Sequence, residues 1–155
     1  HFQKHDIRIS KIHLSNSLKL RPTPPALQRL AAFADDVYLH QVIVRHADAT
    51  LTKFRDLAPA LKSSLATNPA VRDEWRVHFH VPLQMRTTAE LDTTTDHVEG
   101  ILNCLRVQPG LCSHLEMETY TWAVLPEPLR SRDVTDQIVA EYDWMLRQLA
   151  AHGLR

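Results

Sequence analysis

Apolar and polar residues alternate along four stretches of this chain, and each stretch is followed by a segment with helical spacing. In IRISKIHLSNSL (7–18), Ile12 and Leu14 share one face, while Lys11, His13 and Ser15 share the other. That period of two marks a strand with one buried face. VYLHQVIV (37–44) is β-branched and aromatic, with Tyr38, His40 and Val42 on one side. EWRVHFHVPL (74–83) sets Val77, Phe79 and Val81 against Arg76, His78 and His80, and Pro82 ends it. SHLEMETYTWAVLP (113–126) sets Leu115, Met117 and Thr119 against His114, Glu116, Glu118 and Tyr120.

Helices are expected between these strands. RPTPP (21–25) stops the first strand, and Pro25 suits the first turn of a helix with Leu27, Leu30, Ala31 and Phe33 on its apolar stripe. FRDLAPALKSSLA (54–66) reads as a second helix, in which Pro59 must lie near the start or kink it. Thr87 with Glu90 three residues later forms a capping box. It opens a third helix through Leu91, Val98, Ile101, Leu102 and Leu105, closed by QPG (108–110). A fourth runs from about Asp133 to Ala151, with Val134, Ile138, Tyr142, Met145 and Leu149 as its stripe and Gly153 as its cap.

Regular alternation of strand and helix argues for an α/β fold with about four parallel strands covered by helices. A parallel strand covered on both sides should be apolar nearly throughout. Here each strand instead carries polar residues on one face: His13 and Ser15, His40, His78 and His80, Glu116 and Glu118. A β/α barrel resolves this, because its inward face turns polar near the C-terminal strand ends, where active sites lie. The 155 residues hold about half of an eight-stranded barrel, and the resemblance of these stretches to a known family's late strands implies the C-terminal half of a TIM barrel, spanning 1–155. Its edge strands would stay unpaired without the N-terminal half, and the chain alone would be poorly stable or associate with itself.

Composition narrows the function. The 18 basic and 18 acidic residues cancel, which disfavours a nucleic-acid partner. No apolar run is long enough to enter a membrane, and nothing reads as a signal peptide. Three scattered glycines exclude a phosphate-binding glycine loop. Cys104 and Cys112 match no zinc spacing and read as reduced thiols, in keeping with a cytoplasmic location. Ten histidines are the unusual count. Two imidazoles two residues apart on a strand point the same way, so His78 and His80 can both face one ion, or one can bind it while the other orients substrate, and Glu118 on the next strand can supply an oxygen. Zinc, manganese, iron and cobalt all suit such ligands, and such an ion polarises a sugar carbonyl. Glu116, or a residue outside this stretch of chain, is then the candidate base, and His40, Arg76, Tyr120 and Trp122 are candidate substrate contacts.

These stretches resemble the xylose-isomerase-like barrels, which include sugar isomerases and epimerases and the endonuclease IV type of repair enzyme. KIHLSNSLK resembles a late-strand motif whose His, here His13, is a metal ligand. HFH resembles the Asp-x-His or His-x-His pair that follows, placing His78 and His80, and ETYTW resembles a last-strand motif whose Glu, here Glu118, is a ligand. Within that superfamily the order of KIHLSNSL, YLHQVIVR, EWRVHFHVPL and HLEMETYTWAVLP is similar to the EboE metabolite traffic proteins. The resemblance implies a cytosolic, metal-dependent protein acting on a sugar or cyclitol by isomerase or epimerase chemistry. A non-catalytic polyol carrier and a metal phosphodiesterase are the alternatives. The family's earlier ligands are missing from this chain, and His78 stands where the nuclease type has Asp.

Overall fold

A computed structural model describes residues 2–67, 70, 72–85, 87–127, 129–130 and 133–154. The elements run β1 (Ile12–Leu14), β2 (Asn16–Leu20), α1 (Pro24–Ala31), β3 (Val42–Arg45), β4 (Leu51–Phe54) and α2 (Leu57–Thr67). They continue with β5 (Glu74–Val81), β6 (Asp92–Thr93), α3 (Thr95–Val107), β7 (Leu115–Met117) and α4 (Val134–Ala151). Short 3-10 turns lie at Gln3–His5 and Trp122–Val124.

The strands do not form half a parallel barrel. Five of them make one sheet in the order β4-β3-β5-β2-β6, and every neighbouring pair is antiparallel. The only parallel pair among the described residues is the small ribbon of β1 and β7. Two features produce the difference. First, residues 46–50 fold β3 back onto β4 as a hairpin, with Val42 opposite Phe54 and Arg45 opposite Leu51. The turn is closed by His46 N–H to the Thr50 carbonyl, and Ala49 adopts a φ of 68°. The segment LTKF is therefore a strand, and the second helix starts only at Leu57, with Pro59 in its first turn where a missing N–H is harmless. Second, β5 inserts between β2 and β3, splitting the β2-α1-β3 unit.

One face of the sheet is covered by α1 and α2. Leu18, Leu20, Val42, Val44, Trp75, Val77, Phe79 and Val81 pack there against Ala26, Leu27, Leu30, Leu57 and Ala60. The opposite face carries Lys19, Arg45, Glu74 and Arg76, tied by ion pairs such as Arg76 Nε to Glu74 at 2.9 Å and Lys19 Nζ to Asp96 at 3.1 Å. An antiparallel sheet with one wet face shows the same hydrophobic–polar alternation as the inner wall of a barrel. The polar rows thus have a different origin from the one the alternation of elements suggests.

A second core joins β1 and β7 to α3 and α4 through Leu14, Leu83, Val98, Leu102, Leu105 and Met145. Ser15 is the corner between the two: β1 pairs with β7, and β2 turns into the large sheet. Fully buried Asn16 holds that corner, donating from Nδ2 to Thr95 Oγ1 at 2.9 Å while Thr94 donates back to its Oδ1. The threonines that start α3 are thus satisfied by β2. Thr88 and Glu90 instead close a local turn, so the capping box at Thr87 and Glu90 opens no helix. The predicted strands shorten as well, to residues 42–45 and 115–117. At the end of α4, Gly153 (φ 69°) donates to the Ala150 carbonyl and Leu154 to that of Leu149, a complete Schellman cap.

Candidate functional site: a histidine and carboxylate cluster

The polar residues nearest the junction of the two sheets come from three segments far apart in the chain. β1 and β7 lie in parallel register with His13 opposite Glu116, and the ladder continues with Glu118 N–H to the Leu14 carbonyl at 2.9 Å. Their shared outer face places the part-exposed His13 between two carboxylates. Nε2 lies 3.1 Å from Glu116, and Nδ1 lies 3.5 Å from Glu118. Lys11 grips Glu116 at 2.9 Å, and its hydrogen bond holds that carboxyl below the ordinary range.

The end of β5 supplies the imidazole pair. Its ladder with β2 slips between Ser17 and Leu18. Beyond the slip, His78 N–H bonds the Gln41 carbonyl at 2.8 Å, and His80 becomes buried although it lies on the polar side. The chain leaving β7 covers it. His80 Nδ1 meets the Glu118 carbonyl at 2.5 Å, the Thr121 hydroxyl donates to the His80 carbonyl, and the Tyr120 ring lies 4.8 Å away. A carbonyl only accepts, so in the neutral ring the proton of His80 sits on Nδ1 and its Nε2 presents a lone pair. His78 Nε2 stands 2.9 Å from that lone pair and, in the neutral ring, donates to it. His78 then carries an open lone pair on Nδ1. Burial and the neighbouring His80 lower the pKa of His78, against the pull of the Glu118 charge, so the ring is neutral at pH 7.

Of the residues singled out from sequence, Arg76 and Trp122 stand elsewhere, and His40 lies near His78 but is held by other partners. Buried His40 packs on Phe79 with ring centres 4.4 Å apart, and its Nε2 is taken by Asp35. Burial pushes the Asp35 carboxyl up, but hydrogen bonds from His40, Tyr38 and Val37 outweigh it and leave its pKa lowered. Arg76 lies on the open sheet face between Glu74 and His97. Trp122 is buried in the first core. Tyr120 lies beside the imidazole pair, edge-on to Tyr38 at 5.8 Å.

One neighbour escaped sequence reasoning. Glu141 of α4 is buried, accepts from Leu83 N–H at 2.9 Å and Thr119 Oγ1 at 2.6 Å, and has its pKa raised by burial, with His80 close enough to oppose the shift. Of the stripe expected on α4, Val134, Ile138 and Tyr142 are exposed, while Met145 and Leu149 pack in the second core. The only sequence signal for Glu141 is its spacing with Gln137, Met145 and Gln148 on one helical face.

The cluster fits a metal ion only in part. Two nitrogens each about 2.1 Å from one ion and at right angles, as in octahedral rather than tetrahedral coordination, lie about 3 Å apart, a separation that His78 and His80 Nε2 share with an ordinary hydrogen bond. Among the described residues, however, no three His, Cys, Asp or Glu side chains are placed around one point. No helix among them is long and apolar enough to cross a membrane. No protein-family model, no curated protein and no solved structure matches the chain.

Proposed function

We propose that this chain handles a sugar or cyclitol at the cluster of His13, His78, His80 and Glu118, moving a proton on it as isomerases and epimerases do, in the manner of the EboE metabolite traffic proteins. The imidazole pair carries the reading. A neutral His78, its Nε2–H donated to a partner of fixed tautomer, keeps a lone pair on Nδ1 for abstracting a proton. In this assignment His78 takes the base role. Glu116 stays ionised under Lys11 and serves with Glu118 to anchor hydroxyl groups. The His13 ring between the two carboxylates fixes their spacing. The part-exposed Tyr120 ring offers an apolar wall to the carbon face of a sugar ring.

The test is deuterium exchange. A panel of aldoses, ketoses and inositols is incubated with the protein in heavy water, and loss of carbon-bound protons is followed by NMR. Exchange that disappears in His78→Gln and weakens in His80→Ala supports the proposal. Binding without exchange makes the protein a polyol carrier, and neither binding nor exchange rejects the site. Elemental analysis of the same samples shows whether an ion accompanies the imidazole pair.

A further inference from the structure

The start of β5, at the opposite end of the strand from His80, holds a second histidine arrangement. The register that sets Arg45 opposite Glu74 carries on to His46 and to buried Asp73, just before the strand. The hairpin register that sets Val44 opposite Thr52 brings Thr52 diagonally beside His46 on the same face. Asp73 Oδ2 lies 2.8 Å from His46 Nδ1, and His46 Nε2 lies 2.8 Å from Thr52 Oγ1. A carboxylate only accepts, so in the neutral ring the His46 proton sits on Nδ1. Nε2 then presents a lone pair, and the Thr52 hydroxyl donates to it. The chain of bonds runs from buried Asp73 through half-buried His46 to exposed Thr52.

A hydroxyl that donates to an imidazole, itself oriented by a buried carboxylate, is the arrangement of an activated nucleophile. Acyl transfer also needs donors for the developing oxyanion. The edge strand β4 offers them. His46 N–H bonds the Thr50 carbonyl, so by alternation Thr52 bonds Val44, while the N–H groups of Leu51 and Lys53 point off the sheet edge with no described strand beyond them. They flank Thr52 in the chain and are open to a carbonyl oxygen.

We propose that Thr52, His46 and Asp73 form a second catalytic site, which transfers acyl groups from small esters to water. Thr52 Oγ bonds the ester carbon as its proton passes to His46 Nε2, and the carbonyl electron pair moves onto the oxygen beside the edge N–H groups. When the carbonyl re-forms, the bond to the leaving alcohol breaks and His46 returns the proton to that alcohol. Water then gives a proton to His46 and attacks the acyl-threonine. The carboxylic acid leaves, and Thr52 regains its proton. The branched Thr52 side chain crowds its own oxygen, which limits the acyl group to a small one. Asp73 touches no substrate and is the positioning residue.

p-Nitrophenyl acetate added to the full chain tests this. Nitrophenolate release is followed by absorbance, and acid-quenched samples are mapped by peptide mass spectrometry. The expected result is release above the buffer rate, with an acetyl group on Thr52. Thr52→Val keeps the shape and the strand preference but removes both, and Thr52→Ser restores them. His46→Gln slows the reaction about a hundredfold or more. Asp73→Asn slows it about tenfold or more and moves the His46 nitrogen resonances away from those of an Nδ1–H ring, a readout that lowered stability alone does not shift. Circular dichroism checks folding, and the Thr52 variants, at an exposed strand position, decide the matter without the buried Asp73. Three results would overturn the proposal: release that Thr52→Val leaves unchanged, acetyl groups confined to lysines, or Thr52 acetylated as fast in His46→Gln as in the wild type.

Discussion

The two halves of β5 carry the same alternation and come to different ends. Over Glu74–Val77 the ladder is regular on both sides, with Trp75 opposite Leu20 and Val44 and Arg76 opposite Lys19 and Ile43. Its polar side chains lie in water and are met by charges. Beyond Val77 the ladder slips, the strand passes under the chain leaving β7, and His80 must find partners inside the protein. Alternation therefore tells which side of a strand a residue occupies. Whether that side is wet depends on what another part of the chain lays over it.

The largest break in this comparison comes from the apolar side. Phe79 is fully buried, edge-on to Phe33 at 5.2 Å and packed at a tilt against the His40 ring. Phe79→Ala should cost about 3–5 kcal/mol in urea unfolding. Next is the enclosed polar end. Glu141→Ala strands the buried Leu83 N–H and should cost about 1–3 kcal/mol.

Smaller effects appear as pH slopes of opposite sign. The fold raises the Glu141 pKa, so its protonated form is favoured. Its contribution is present at pH below the unfolded value of about 4.5 and is lost as pH rises through the raised folded pKa. Relative to wild type, Glu141→Gln should gain stability at neutral pH, and the gap should close on acidification. The fold lowers the His78 pKa, so its contribution is present above 6.5 and lost as pH falls through the depressed value. His78→Gln should therefore flatten the decline of stability below pH 6.5. A profile of unfolding midpoints for the two variants separates the slopes; equal profiles would mean that neither group differs between folded and unfolded chains. The smallest effect belongs to the wet end. Arg76→Ala removes a surface pair and should change stability by no more than about 1 kcal/mol.

Much of the local structure was legible. β5 was expected over residues 74–83 and occupies Glu74–Val81, and the last helix was expected from about Asp133 and starts at Val134. Strand direction was not legible, because a strand's own pattern does not say which neighbour it joins. The hairpin turn HADAT has no glycine, and an alanine takes the left-handed backbone that usually betrays such turns. Within the site, His13, His78, His80 and Glu118 stood out because they lie on polar strand faces. Glu141 did not, because α4 offers an apolar stripe more regular than the face it buries.

The position of β5 also sets an order of assembly. The hairpin of β3 and β4 closes over a short loop and can form early. β2 and β3, by contrast, have no shared edge until β5, made later in the chain, enters between them. A nascent chain ending before Glu74 presents two open strand edges at once, each a template for a neighbouring polypeptide. The large sheet is thus completed from its middle, and amide protection in β2 should lag behind that in the hairpin during refolding.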